Sequence, residues 1–211
     1  MRKAFTLATV AACALLAVDT PPKLQYTKSF PGSVPAYVSI ELLRTGEGIY
    51  KEAPEDDNPI DFKVPTEDTE KIFALAEKLD RFKRPLEANL KVANMGMKTF
   101  VFEQGSVKNE QKFNFSLDLD AQALLDWFER LTETQRLHFD LERTAKFDRL
   151  GVNKTLLQIE AANDRKRLVG LDRFLPLLDR VAKNDSYLHM ARERAAMLAD
   201  AIRNPKPKTT E

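Results

Sequence analysis

Two histidines and one cysteine are all that the 211 residues offer for imidazole, thiol or soft-metal chemistry. That inventory excludes zinc fingers, iron–sulfur clusters and disulfide scaffolds. His138 lies a heptad after Leu131 on the apolar stripe of a predicted helix, where an imidazole packs between helices; a base or a ligand is the alternative its chemistry allows. His189 stands four residues before Glu193, the spacing of an ordinary surface pair. A metal site built from both histidines would need folded proximity and added carboxylates, so no metal is expected. Gly105-Ser106 falls in a predicted hairpin turn, without the strand–turn–helix context or the flanking glycines of a nucleophile elbow. Ser186 shares a helical turn with His189 but is placed as a cap. The 32 acidic residues supply many pairs for glycosidase-type work and single out none, so no residue is assigned a catalytic role.

Three further segments carry groups that bind things. Glu55-Asp56-Asp57-Asn58 offers oxygens to calcium but lacks the alternating ligands, mid-loop glycine and terminal Glu of a calcium loop, so it reads as a solvated turn. Arg165-Lys166-Arg167 follows Glu160 and Asp164 at helical spacing, which makes it a solvated helix face. Asn94-Met95-Gly96-Met97, between a helix and a strand, is the candidate binding loop: two thioethers around a flexible glycine suit the wall of a groove, and a buried crossover into the next hairpin is the competing reading. No glycine-rich loop cradles phosphate, and no cofactor is expected. With 33 basic against 32 acidic residues, the chain has no surplus of cations for a polyanion, so nucleic acid is not an expected partner. A hydrophobic fraction of 43% with 31% charged residues describes a soluble folded chain.

The elements that must position these groups begin with an export signal. Residues 1–17 place Arg2 and Lys3 before an apolar run from Phe5 to Leu16, and Ala17 or Ala14 offers a small residue for cleavage. The run is too short to span a bilayer, so the mature chain is expected to be periplasmic or extracellular, with no transmembrane span. Val10-Ala11-Ala12 before Cys13 also fits the small-residue pattern that precedes a lipidated bacterial cysteine, which makes Cys13 a candidate lipidation site. Its removal with the signal would leave no thiol, and removal of Arg2 and Lys3 tips the charge balance to the acidic side.

The fold class that follows is α+β. An antiparallel sheet of about five strands in two hairpins, with one packed helix, spans 18–118, and a C-terminal region of three to four helices spans 119–203; residues 204–211 form a disordered tail. Tyr37–Leu43 alternates, with Val38, Ile40 and Leu42 on one face, and Gly46-Glu47-Gly48 turns it back through Ile49–Ala53. Ile60, Phe62 and Val64 alternate again. Thr66 is a predicted N-cap for a helix whose stripe is Ile72, Phe73, Ala76, Leu79 and Phe82. Met97–Gln104 and Gln111–Leu117 form the second hairpin, with Phe100 and Phe102 on one face of the first arm and Phe113, Phe115 and Leu117 on one face of the second. A further strand fits around Leu24–Phe30. Beyond Asp118 the spacing turns helical: Leu124, Trp127, Leu131, Thr134, His138, Leu141 and Ala145 mark one long helix, Asn153 caps a second bearing Leu156, Leu157 and Ile159, and Asn184-Asp185-Ser186 caps the last. The phrase Leu-Asp-Arg-Phe occurs at 79–82 and 171–174 in dissimilar surroundings, a coincidence rather than a repeat.

The order of export signal, Ser33-Val34-Pro35-Ala36-Tyr37-Val38, the turn Gly46-Glu47-Gly48-Ile49-Tyr50, an acidic-capped helix and a second hairpin resembles a family of uncharacterised secreted bacterial α+β proteins, over roughly residues 24–117. The resemblance implies an exported α+β domain and brings no activity or site residues with it. The leading expectation is a non-catalytic extracytoplasmic interaction module whose partner is another envelope or secreted protein. The alternatives are a secreted hydrolase using carboxylates, and a lipid-anchored envelope protein.

Overall fold

The computed structural model describes residues 20–205, so the expectations placed on residues 1–17, on Cys13 and on residues 206–211 lie outside the described residues. The chain is α+β: a six-stranded antiparallel sheet with an inserted helix, then a run of four helices. The strands are β1 (Lys23–Ser29), β2 (Tyr37–Leu43), β3 (Glu47–Lys51), β4 (Ile60–Lys63), β5 (Met97–Gln104) and β6 (Val107–Phe113). The helices are α1 (Thr66–Lys78), α2 (Leu119–Phe147), α3 (Val152–Asp164), α4 (Leu175–Ala182) and α5 (His189–Arg203). The sheet order is β4-β3-β2-β1-β5-β6. The sixth strand is the segment around Leu24–Phe30, and it is central: Tyr26 lies opposite Ile40 of β2 on one side and Phe100 of β5 on the other.

Alternation along each strand gives the sheet one apolar face. Leu24, Tyr26, Ile40, Leu42, Tyr50, Phe100, Phe102 and Phe113 point into a single core, closed by Ile72, Phe73 and Ala76 of α1 and by Leu124, Phe128 and Leu131 of α2. Burying side chains of this size contributes about 1.5–3 kcal/mol each, enough for the sheet to hold without a disulfide. The opposite face runs Asp61, Ile49, Glu41, Gln25, Val101 and Glu110 across all six strands and is polar in character. Gly48 is required here, because a Cβ would lie 2.4 Å from the Phe62 ring. Leu117 does not continue the β6 alternation: the strand ends at Phe113 and Leu117 is exposed.

Asp118 caps α2, its Oδ1 accepting from the backbone N–H of Asp120 (2.9 Å) and Ala121 (3.2 Å). The 29 residues of α2 make a rod of about 44 Å at 1.5 Å per residue, long enough to serve two cores. Its first half covers the sheet, with Phe128 rather than Trp127 fully buried; its second half gives Leu137, Leu141 and Ala145 to a separate cluster with α3, α4 and α5. Between the two clusters, buried Thr134 accepts from the Val169 N–H at 3.0 Å and donates to the Arg130 carbonyl at 2.8 Å. Arg173 donates to the side-chain oxygen of buried Gln135 and reaches the Asp61 carbonyl of β4 at 3.5 Å.

Three expected caps are corrected. Pro65 holds the cap position of α1 and Thr66 is its first helical residue; α3 starts from Gly151 with Asn153 inside it; and Leu188 holds the cap position of α5, while Asn184 accepts from the Ser186 N–H at 3.0 Å in a turn upstream. Short polar side chains bond their own turns as readily as a helix end, which is what Asn184 does.

The two Leu-Asp-Arg-Phe phrases both fold into single 3₁₀ turns, Asp80–Phe82 and Leu171–Phe174, but of opposite hand. Asp80, Arg81 and Phe82 all have positive φ, at 50°, 52° and 62°. A left-handed non-glycine residue costs about 1–2 kcal/mol. What holds the turn is Phe82, buried beside the Phe100 ring at 5.3 Å, with the Arg81 guanidinium 5.4 Å over the Phe102 ring and the Arg81 carbonyl accepting from Asn109 at 2.9 Å. Asp80 itself contributes only an exposed pairing with Lys83 at 3.8 Å. Replacing Asp80 with Gly therefore relieves strain at little loss, and even after the entropy of a freer unfolded chain it should raise stability by about 0.5–1 kcal/mol. A urea midpoint at or below that of the parent would show that the left-handed backbone is not under strain.

Candidate functional site

A concavity of about 750 Å³ lies where the end of the sheet meets α2 and α3. Three segments distant in sequence wall it. The β1–β2 connection supplies Phe30, Ser33, Val34 and Pro35; one side of α2 supplies Glu129, Glu133, Arg136, Leu137 and Asp140; the outer side of α3 supplies Lys154, Leu157, Gln158 and Ala161, and Arg165 follows at its end. Tyr26 and Val38 of the sheet core lie at its base.

The β1–β2 wall is a built loop. The Phe30 N–H donates to Ala36 at 2.8 Å, and the Ser33 hydroxyl sits 2.7 Å from both the Phe30 and Pro35 carbonyls. Behind it stands the segment singled out from sequence. Gly96 has a φ of 87°, and a Cβ there would lie 2.8 Å from that of Phe30, so the backbone packs directly on the Phe30 side chain. Asn94 accepts from the Gly96 N–H at 2.9 Å, and Met95 donates to Asn114 at 2.8 Å. Met95 and Met97 are roughly half exposed. Asn94, Met95, Gly96 and Met97 thus brace the loop that walls the cleft and do not line the cleft themselves.

Sequence reasoning missed both Tyr26 and Lys98. The Tyr26 ring stacks on Phe128 with centroids 4.9 Å apart and is 1% exposed. Burial first, and then the nearby Glu129 carboxylate, push its hydroxyl well above the usual phenol range, so it is a donor at every physiological pH. Among the described residues nothing accepts from it or donates to it. Lys98, at the same end of the sheet, is 3% exposed, with its Nζ donating to the Asn114 carbonyl at 2.7 Å. Burial, and then Lys28, lower its pKa.

The charged groups on the cleft wall divide into paired and unpaired. Glu129 faces Lys28 at 3.6 Å, Glu133 accepts from Arg167 at 3.2 Å, and Asp140 accepts from Arg143 at 3.1 Å. Arg136 reaches Glu52 at 3.5 Å. Lys154 and Arg165 have no carboxylate partner among the described residues, so the cleft presents uncompensated positive charge beside the apolar Leu157 and Ala161. Neither histidine contributes. His138 packs edge-on against the Phe174 ring at 5.4 Å in the helical cluster, and His189 is an exposed partner of Glu193 at 3.1 Å. Among the described residues no three His, Cys, Asp or Glu side chains gather to hold a metal ion, and no helix is long and apolar enough to cross a membrane. The acidic turn spends Asp56 on the backbone N–H groups of Asn58 (2.9 Å) and Glu52 (3.1 Å).

Comparison with protein-family models, curated proteins and solved structures returns no match. The geometry of the cleft therefore carries the functional reading.

Proposed function

We propose that this chain is an exported, non-catalytic interaction module that holds a segment of another envelope or secreted protein in the cleft between sheet and helices. The observation that carries the reading is Tyr26, whose ring is buried in the core while its hydroxyl, with no protein partner among the described residues, lies at the base of a cavity of ligand size. In the free protein the hydroxyl faces the cavity, and an incoming carbonyl or carboxylate can accept a hydrogen bond from it worth about 1 kcal/mol. Lys154 and Arg165 favour an acidic segment, and Leu157, Ala161 and Val34 give an apolar anchor somewhere to sit. The three wall carboxylates support binding more than hydrolysis, since each is engaged by a cation. Export rests on the charge and hydropathy pattern of residues 1–17; mass spectrometry of the mature N-terminus separates cleavage near Ala17 from acylation at Cys13.

Tyr26→Phe is the discriminating variant. It keeps the stack on Phe128 and removes a hydroxyl that bonds nothing, so the thermal midpoint should stay at the parent value. A photo-reactive side chain at position 158, on the α3 wall, should trap one discrete partner in envelope extracts, and the same group at position 112 on β6 should not. In the Tyr26→Phe background the affinity for that partner should fall about five- to tenfold, the worth of one hydrogen bond. Equal trapping at 158 and 112, or a partner indifferent to the Tyr26 hydroxyl, would remove this reading.

A further inference from the structure

The far corner of the helical region exposes apolar side chains that the cleft does not use. α2 ends at Phe147, residues 148–151 turn the chain, and α3 begins at Val152. The start of α5 packs alongside: the Tyr187 hydroxyl donates to the Ala145 carbonyl at 2.7 Å, and Asn153 lies 3.5 Å from the Met190 sulfur. Beneath the corner Ala145, Val152, Leu156, Tyr187 and Ala191 are buried. On its outside Phe147 and Leu150 are each 74% exposed, and at the start of α5 Leu188 and Met190 are about half exposed. Scattered single apolar residues are normal on a surface, but Phe147 and Leu150 so exposed within four residues, with Met190 at the adjoining start of α5, suit a contact site.

The turn carries two cations, Lys146 and Arg149, against one carboxylate, Asp148. The Lys146 Nζ lies 5.0 Å over the Phe147 ring, and neither Lys146 nor Arg149 meets a carboxylate among the described residues. Nearby, Asp148 accepts from the Gly151 N–H at 3.0 Å, Asp185 is paired with Arg192, and Glu193 lies 3.1 Å from His189, so Lys146 and Arg149 leave the turn net positive.

We propose that this corner docks on an anionic membrane surface, with Phe147 and Leu150 entering the boundary between headgroups and acyl chains and Lys146 and Arg149 meeting lipid phosphates. Side chains this exposed on a turn between two helices suit a plane that yields around them rather than a segment that must be enclosed. The charge complements anionic headgroups, each exposed cation near such a surface contributing about fivefold in affinity. A second copy of this chain is the poorer occupant: a two-fold contact centred here would set Lys146 and Arg149 against their own images.

The test uses the full chain with two kinds of vesicle, phosphatidylcholine alone and phosphatidylcholine enriched in phosphatidylglycerol. Co-sedimentation is expected with the anionic vesicles only and should weaken in high salt. Phe147→Ser with Leu150→Ser should cut binding at least about tenfold with an unchanged melting temperature, since both side chains are exposed. Lys146→Glu with Arg149→Glu should abolish the preference for anionic lipid. No sedimentation with anionic vesicles overturns the proposal, as does binding that the two serine substitutions leave intact. A concentration-dependent dimer dispersed by those substitutions also overturns it, in favour of a second copy, and an acidic protein captured there without any vesicle binding does so in favour of a protein partner.

Discussion

Replacing Phe100 with Ala should cost about 3–5 kcal/mol, between about a fifth and the whole of the stability of an ordinary domain. The size follows from its neighbours. Ring centroids of Phe113, Phe82, Phe128 and Tyr26 lie 5.1, 5.3, 5.7 and 5.9 Å from that of Phe100, so one side chain touches an edge strand, the left-handed turn, the long helix and the central strand. Removing it strips every one of those contacts, and four rings held by separate elements cannot all collapse into the gap. Phe100→Leu keeps most of the volume and should cost under about 1.5 kcal/mol. The contrast between the two, read from urea unfolding, is the check: an Ala variant within about 1 kcal/mol of the Leu variant would show that the rings repack freely. Tyr26 belongs to the same cluster, so a slackened core should also loosen the base of the cleft, and the Ala variant should lose partner affinity even where it remains folded.

The sheet was legible because its code is local. A period of two with large rings on one side admits few arrangements, and Phe100, Phe102, Val38, Ile40 and Leu42 all face the core as the alternation requires. β1 was harder to place, because its two lysines and the prolines before it blur a run whose inward residues are only Leu24 and Tyr26. That it sits at the centre of the sheet is not a local property at all; it comes from pairing with strands about fifteen and seventy-five residues away. Helix ends were misread for the opposite reason. Thr66, Asn153 and Ser186 are good caps in isolation, but packing fixes where a helix starts and a cap contributes only about 1 kcal/mol.

The cleft was not legible, since its walls come from residues 30–35, 129–140 and 154–165 and only folding brings them together. Two signs of it did lie in the sequence. Leu156 and Leu157 are adjacent in α3 and cannot share a face; Leu156 takes the core and Leu157 is left 45% exposed on the cleft wall. Phe30 to Pro35 holds two prolines and an exposed Val34 where a short hairpin turn would have served, an excess of chain that marks a loop shaped for something else. The segment chosen instead, Asn94 to Met97, stood out by composition, and its structural task is to back the Phe30 loop.

Acid should destabilise the protein well before its carboxylates protonate, and His138 is the reason. Burial first, and then the nearby Arg173 guanidinium, bring its pKa down from 6.5 to about 4. Above pH 6.5 the ring is neutral in both folded and unfolded chains and contributes nothing to the pH dependence. Between 6.5 and 4 the unfolded chain takes up a proton that the folded one refuses, so stability falls as pH falls; below 4 both are protonated and the loss is complete. The full shift corresponds to about 3 kcal/mol, and solvent screening of a partly exposed ring reduces that to about 2 kcal/mol. Carboxylates act lower. Glu87, held down by the Asn114 backbone N–H, and Glu103, held down by Lys108 and Lys23, stabilise the fold above their ordinary value of 4.5 and lose that effect only as pH drops through their lowered ones. The window from 6.5 to 4.5 therefore belongs to His138. His138→Gln keeps a side-chain donor for the backbone of Arg173 and removes the titration, so its unfolding free energy should stay nearly level across that window while the parent's declines. Parallel curves for the two proteins would mean that the ring accepts its proton inside the fold, and that Arg173, pinned between Gln135 and the Asp61 carbonyl, yields to make room for the charge.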